Sequence, residues 1–420
     1  MPRRGLFSLL FSYENALIVI LGLTYGIVFY DRQAAPNLMP FIKPELGLDN
    51  TQVGAVGSAL AIGWAISAFL VGLISDRTGR RKLVLIICTI GFSLCSVISG
   101  LAHTFPVLLA SRLFMGLLEG GVMPICLAIM TIESSERRRG LNAGIVQNGF
   151  SNLIGNFAGP IVLVAMATAW SWRQAFYLSA IPGLLCAVAV WLWVKETPRP
   201  APEPGATASA PLDLAALLSD LLQMLKVRNV QVCALLAIFM VGWLITASVF
   251  LPIFLVEHRH MKPAAEAAVM SVTGIAALVG GLTLPALGDW IGRKPVMLIG
   301  CFGGIFAPLS ALYFHGPVWA LAALQFVGWM SAGVFPIFMG TIPGESLPRA
   351  QIATAMGLVV GVGEICGGVF APLIAGRLAD TTELGLQAPL MLVAAAILIS
   401  GALSLLLRET APAKVAVSTG

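Results

Sequence analysis

GLISDRTGRRKLVLI at residues 72–86 and PALGDWIGRKPVMLI at residues 285–299 are two copies of one pattern. In register, Asp76 falls on Asp289, Gly79 on Gly292 and Arg80 on Arg293, a shift of 213 residues. Each copy is a short charged turn between apolar runs. Further along, at a shift of 212, Gly116, Gly121, Pro124, Glu133, Arg137, Gly155 and Pro160 meet Gly328, Gly333, Pro336, Glu345, Arg349, Gly367 and Pro372. Chance seldom keeps so many Gly, Pro and charged positions in one register. The chain is a duplicated unit.

Composition says what the unit is made of. The 420 residues are 58% hydrophobic and 11% charged, with a mean hydropathy of +0.91. Soluble domains carry about 25% charged residues, so the chain reads as an all-α polytopic membrane protein. Apolar runs long enough to span a bilayer fall near 15–37, 51–74, 83–102, 107–131, 141–166, 174–194, 231–256, 265–288, 296–314, 318–342, 352–377 and 388–407. Arg3 and Arg4 ahead of an apolar stretch are similar to a signal peptide. Glu14 and Asn15 interrupt that stretch, so the first run is read as an uncleaved helix. With the N-terminus inside, eighteen Lys and Arg lie in cytoplasmic loops, among them Arg77, Arg80, Arg81, Lys82, Arg137, Arg138, Arg139, Arg293 and Lys294. Five lie opposite: Lys43, Arg173, Arg259, Lys262 and Arg377. That bias places both termini in the cytoplasm; the short loops fit a bacterial inner membrane.

The division is six spans plus six. Residues 197–211 are a Pro/Ala linker without apolar period. Residues 213–229 have helical apolar spacing and suit the cytoplasmic interface. The expected units are an N-terminal six-helix bundle (1–196), a linker (197–229) and a C-terminal six-helix bundle (230–420). Pseudo-symmetric repeats of this kind mark secondary transporters, whose site lies near the midplane between the halves. The net charge of +5 comes without basic-aromatic clusters, so no nucleic-acid partner is expected. The seven cysteines lie in apolar runs without CxxC spacing, so no metal is expected. No GxxxxGK[ST], HExxH or GxSxG occurs. Energy from a proton gradient, with no cofactor and no enzymatic chemistry, is the expectation; the partners are a small organic anion, protons and the bilayer, around a monomer.

Ionisable residues within the spans carry the functional argument, because each costs roughly 2.5–3.5 kcal/mol on insertion scales. The first run holds Tyr30-Asp31-Arg32 and the fourth holds Arg112 and Glu119, seven residues apart. On a helix that spacing is two turns on one face, roughly 10 Å. A carboxylate substrate suits the planar guanidinium fork of arginine. An acid that hands protons across must exist in both charge states. In the second half Ser331 stands opposite Glu119 and Leu324 opposite Arg112, which argues against a purely structural pair. Glu364 aligns with Asn152, and Asn148, Asn152 and Asn156 form an i, i+4, i+8 stripe beside Gln147.

The doubled Gly72-x-x-x-Asp76-Arg77-x-Gly79-Arg80-Arg81 loop resembles the signature loop of the major facilitator superfamily. With Asp31-Arg32 and Arg112…Glu119, the chain resembles its anion:cation symporter branch of proton-coupled organic-anion carriers. The resemblance implies a major facilitator fold of twelve helices, with Asp31 and Glu119 in proton coupling and Arg32 and Arg112 on the substrate anion. Tyr30, Gln147, Asn148 and Glu364 are further candidates for the substrate. Asp76, Arg77, Arg80, Asp289 and Arg293 are candidates for gating, as a latch remade between two conformations. Glu364 departs from the branch, which has uncharged polar residues there. Phe150, where sugar-acid members carry an amide, leans the substrate toward a flatter acid. The stretch YDRQAAPNLMPFI (30–42) is also similar to Spinster-type lysolipid carriers, and a proton-coupled exporter is the other alternative. The working expectation is that Arg32, Arg112 and Glu119 face one shared void.

Overall fold

The computed structural model describes residues 12–196, 223–348, 351–412 and 414, with residues 68, 69, 72, 73, 76, 77 and 353 described by their backbone. The linker expected at 197–211 and most of the interfacial helix lie outside these residues. The first six helices are α1 (Tyr13–Leu46), α2 (Asn50–Thr78), α3 (Arg81–Gly100), α4 (Phe105–Glu133), α5 (Arg139–Ala169) and α6 (Trp172–Trp193). The second six are α7 (Arg228–His258), α8 (Pro263–Ile291), α9 (Arg293–Tyr313), α10 (Val318–Ser346), α11 (Thr354–Thr381) and α12 (Gln387–Ser404). Eleven have the length and apolarity to cross a bilayer, and α2, with 29 residues, completes the set.

Local chemistry sets the ends. The Asp49 carboxylate accepts from the Gln52 N–H at 2.6 Å, while the Gln52 side chain accepts from the Asp49 N–H at 3.1 Å. This capping box starts α2. The motif glycines end α2 and α8 at positive φ, Gly79 at 64° and Gly292 at 109°, where a side chain would be strained. A second repeated device was invisible in the motif itself. Glu196, after α6, accepts from the Lys82 N–H at 2.9 Å. Glu409, after α12, accepts from the N–H groups of Arg293 at 2.7 Å and Lys294 at 3.1 Å. Each glutamate satisfies free donors at the start of α3 or α9.

The helices are irregular at repeat-equivalent places. Wide i→i+5 turns occupy Ser151–Ala158 of α5 and Gly363–Val369 of α11. The α-helix of α4 breaks after Glu119, and α10 tightens to 3₁₀ over Met330–Val334. Such turns re-aim side chains and recur at functional positions.

Two apolar cores form, one per half; Val241, Ile245, Val249 and Phe250 of α7 and Val369 and Ala375 of α11 reach into the first. The halves meet along α2–α11, α5–α8 and α1–α7. On α2–α11 the contact is backbone on backbone. A Cβ on Gly54 would strike the Pro372 carbonyl, and one on Gly376 would strike the Asn50 carbonyl. Ser58 donates to the Val369 carbonyl at 2.6 Å. Asp380 clasps the start of α2, accepting from the Asn50 N–H (3.0 Å), its side-chain amide (2.8 Å), the Thr51 N–H (2.7 Å) and the Thr51 hydroxyl (2.6 Å). Lys43 of α1 pairs with Glu257 of α7 at 2.6 Å. On α5–α8, Gly274 lies on the backbone of Asn156 and Phe157.

All these contacts lie in the half of the bundle away from the termini. Toward the termini the same faces part. Gly357 and Gly361 of α11, Gly144 of α5 and Gly281 of α8 have nothing within 4 Å of where a Cβ would stand. The molecule is therefore a V-shaped cleft, closed at one end and open toward the termini.

Candidate functional site

Glycine contacts position the first charged group. α4 crosses α2 where Gly116 abuts the Leu60 carbonyl and Gly120 abuts the backbone of Trp64. Glu119, just before that break, is fully buried, and neither of its oxygens has a hydrogen-bond partner among the described residues. The Arg32 guanidinium lies over the Trp64 ring at 4.8 Å, with the Phe29 ring at 5.8 Å. These rings hold the fork by cation–π contact. No acceptor for its N–H donors occurs among the described residues, and the residue is partly exposed. Arg32 is the charge neighbour of both Glu119 and Glu364.

Tyr25, Phe29 and Arg32 share one face of α1, and the Tyr25 and Phe29 rings meet edge to face at 5.3 Å. Tyr25 lies in the field of Arg32, Glu119 and Glu364. The sequence reading missed it; its i, i+7 relation to Arg32 was the available signal.

Arg112 lies away from the cleft in this structure. It is enclosed in the first half, donating to the Ser99 hydroxyl at 2.5 Å and to the Asp31 carbonyl at 3.4 Å, with its guanidinium 5.0 Å from the Phe176 ring. Ser99 and Ser111 share a hydrogen bond of 2.8 Å. Asp31 is fully buried beside it, accepting from Ser96 at 2.9 Å and leaving Oδ2 without a partner among the described residues. Helix periodicity places Arg112 and Glu119 on one face, but that face looks into the bundle of α1, α3, α4 and α6. Tyr30 is likewise buried, packed toward α5 and Ser179 of α6 rather than the cleft. The second half repeats the plan without charge. Gln325, not Leu324, takes the place of Arg112, donating to Ser310 at 3.0 Å and to the Ala307 carbonyl at 2.7 Å. Trp243 stands 212 residues after Asp31, its ring 5.2 Å from that of Trp329 and tilted by 44°.

Glu364 stands at the apex of the cleft. Its Oε2 is buried without a partner among the described residues and lies 3.2 Å from where a Gly368 Cβ would be; that point is 3.5 Å from Ala61 on α2, one turn from Trp64. Along α5 runs an amide ladder. Gln33 of α1 donates to Asn156 at 2.6 Å, Asn156 to Asn152 at 3.0 Å, and Asn152 to the Asn148 carbonyl at 2.9 Å. Asn148, at its open end, is exposed. Gln33 is a second residue the sequence reading passed over. Gln147 turns aside to Met123 of α4, 3.4 Å from its sulfur.

Of the gating candidates, Asp289 pairs with Arg293 at 2.6 Å, and Arg293 pairs with Glu345 at 2.9 Å. Thr410 donates to Glu345 at 2.6 Å. This cluster lies within the second half. Arg80 is exposed, and the side chains of Asp76 and Arg77 lie outside the described residues.

Two six-helix bundles around a polar cleft are the architecture of a membrane carrier. The chain belongs to the Major Facilitator Superfamily, which it matches over residues 21–366, and is a transporter. It is similar to a probable 4-methylmuconolactone transporter of Cupriavidus pinatubonensis, 27% identical over 80% of this chain and 78% of that one. It is also similar to the 3-(3-hydroxy-phenyl)propionate transporter of Escherichia coli, 28% identical over 87% and 88%. Among solved structures, a bacterial homologue of the human lysosomal transporter Spinster, inward-facing and unoccupied, superposes with a TM-score of 0.67 at 17% identity, covering 94% of this chain and 95% of that one.

Proposed function

We propose that this protein moves an organic carboxylate across the membrane together with protons, by alternating opening of the cleft. One observation carries the reading: Arg32 is a guanidinium clamped by Trp64 and Phe29 with no acceptor among the described residues, on the wall of a cleft. Such a fork suits a carboxylate. The ring-lined surroundings of Tyr25, Phe29 and Trp64 favour a flat, unsaturated acid. The names of the relatives, a muconolactone and a hydroxyphenylpropionate carrier, support that class.

Glu119 and Asp31 are the proton sites in this reading. Buried without a partner, the Glu119 carboxyl is tolerated as the neutral acid, whereas its ionised form would need a counter-charge. Arg32 and Arg112 supply that charge. A substrate anion on Arg32 withdraws one of the two, so binding of the anion and of the proton support each other. Arg112 acts within the bundle, through Ser99 and the backbone of Asp31, and not on the substrate.

The termini-bearing face, with its excess of Lys and Arg, is the cytoplasmic face of a bacterial inner membrane; the cleft is then open inward. The halves 1–196 and 230–420 move as units about the linker of 197–229, in a monomer. Uptake into proteoliposomes under an imposed pH gradient tests the reading. Arg32→Lys is expected to weaken carboxylate binding about tenfold or more. Glu119→Gln is expected to abolish uphill accumulation while sparing counterflow. Full accumulation by Glu119→Gln would remove Glu119 from coupling. Net efflux driven by inward proton movement would make the protein an exporter, and uptake of lysolipid but no carboxylate would favour the Spinster-type reading.

A further inference from the structure

We infer that Glu364 reads a hydroxyl on the substrate, so that the cargo is a hydroxylated carboxylic acid bridging the two halves. The inference rests on the carboxylate reading of Arg32 and deepens it. The contact between α2 and α11 is continuous from Asp380 and Gly376 on Asn50, through Pro372 at Gly54 and Val369 at Ser58, to Gly368 at Ala61. One turn further the helices separate, and Glu364 is the first side chain of α11 past that point. The wide turn of Gly363–Val369 sets it on the same face as the open Gly357 and Gly361. It stands under α2, one turn from the Trp64 that holds Arg32.

Its carboxyl oxygens accept hydrogen bonds, and the buried Oε2 has no donor among the described residues. Arg32 is its charge neighbour but makes no ion pair with it within 4.0 Å. A plain acid held at Arg32 brings the buried Oε2 no donor and leaves it unpaired. The same oxygen accepts from a hydroxyl placed at the far end of the molecule, and the cargo then joins Arg32 of one half to Glu364 of the other. A site built around an acceptor discriminates against the analogue without the donor, because the acceptor is left unpaired.

The test is binding to the purified full-length protein, followed by tryptophan fluorescence. Three matched pairs serve as probes: 3-phenylpropionate and 3-(3-hydroxyphenyl)propionate, hexanoate and 6-hydroxyhexanoate, cyclohexanecarboxylate and 4-hydroxycyclohexanecarboxylate. At least one hydroxy acid is expected to bind about tenfold or more tightly than its parent. Glu364→Met is expected to bring that ratio close to one while the parent acid still binds, which also shows the variant is folded; Glu364→Asp is expected to restore part of it. A ratio near one in all pairs for the unaltered protein, or an unchanged ratio in Glu364→Met, overturns the inference. If binding is nonetheless weakened by Arg32→Lys, the carboxylate reading stands; if no acid binds, or Arg32→Lys changes nothing, that reading fails instead.

Discussion

Removing the Asp380 carboxylate is expected to open the closed end of the cleft. Asp380 accepts four hydrogen bonds from Asn50 and Thr51, all across the interface between the halves. Two come from backbone N–H groups at the start of α2, where a negative charge also complements the helix dipole. Hydrogen bonds to a charged group contribute about 1.5–3 kcal/mol each when shielded. This clasp is exposed, and water replaces much of it when the halves part. Its net value for closure is therefore about 2 kcal/mol, close to a 30-fold change in the ratio of closed to open forms. Asp380→Ala removes the whole clasp, and Asp380→Asn keeps an acceptor without charge, for about half the effect. Spin labels on cysteines introduced at His103 and Glu383, exposed loop positions of opposite halves, read the separation directly. In Asp380→Ala a longer distance is expected to gain population in proportion. An unaltered distance distribution would refute the assignment of this contact as the closure.

Gly54→Ala tests the same end by bulk, since its Cβ meets the Pro372 backbone. The same labels are expected to show the longer distance, transport is expected to fall at least tenfold, and thermal stability is expected to change little because each half keeps its own core. Glu409 predicts an acid response at the other end. Burial pushes its carboxyl up, but the N–H groups of Ala411, Arg293, Lys294 and Thr410 outweigh burial and hold it below the ordinary range. The stabilisation is thus present above the unfolded value of about 4.3 and lost as pH falls through the lower folded one. Hydrogen-exchange protection in the first turn of α9, corrected for intrinsic exchange at each pH, is expected to fall on acidification below about pH 4.3, and Glu409→Gln is expected to show the lower protection already at neutral pH.

Much of the architecture was legible because bilayer physics constrains it. Span length, loop charge and the Asp289-to-Arg293 copy of the motif all follow from solvation of single residues and turns. The first helix runs to Leu46, past the expected end near 37, even though Pro36, Pro40 and Pro44 sit within it. Neighbouring helices re-satisfy the freed backbone groups there. The facing of Arg112 was not legible. A period of 3.6 says which residues share a face and not whether that face meets a cleft or the other helices of its own bundle. Gln325 was missed for a related reason: repeat alignment proceeds by residue count, whereas the tight turns of α10 move the counterpart by one. Gln33 and Tyr25 carry no charge, so only packing identifies them. Glu196 and Glu409 act across the fold on helices distant in sequence.

The backbone contact between α2 and α11 has a thermal consequence. At the Gly54 and Gly376 contacts themselves backbone meets backbone, so parting them moves few apolar side chains into water there. Heat-capacity changes scale with apolar surface exposed, so opening at this seam should carry a smaller one than separation of interlocked leucines. Its equilibrium should then drift gently between cold and warm growth conditions, leaving the carrier's gate set by hydrogen bonds and fit rather than by temperature.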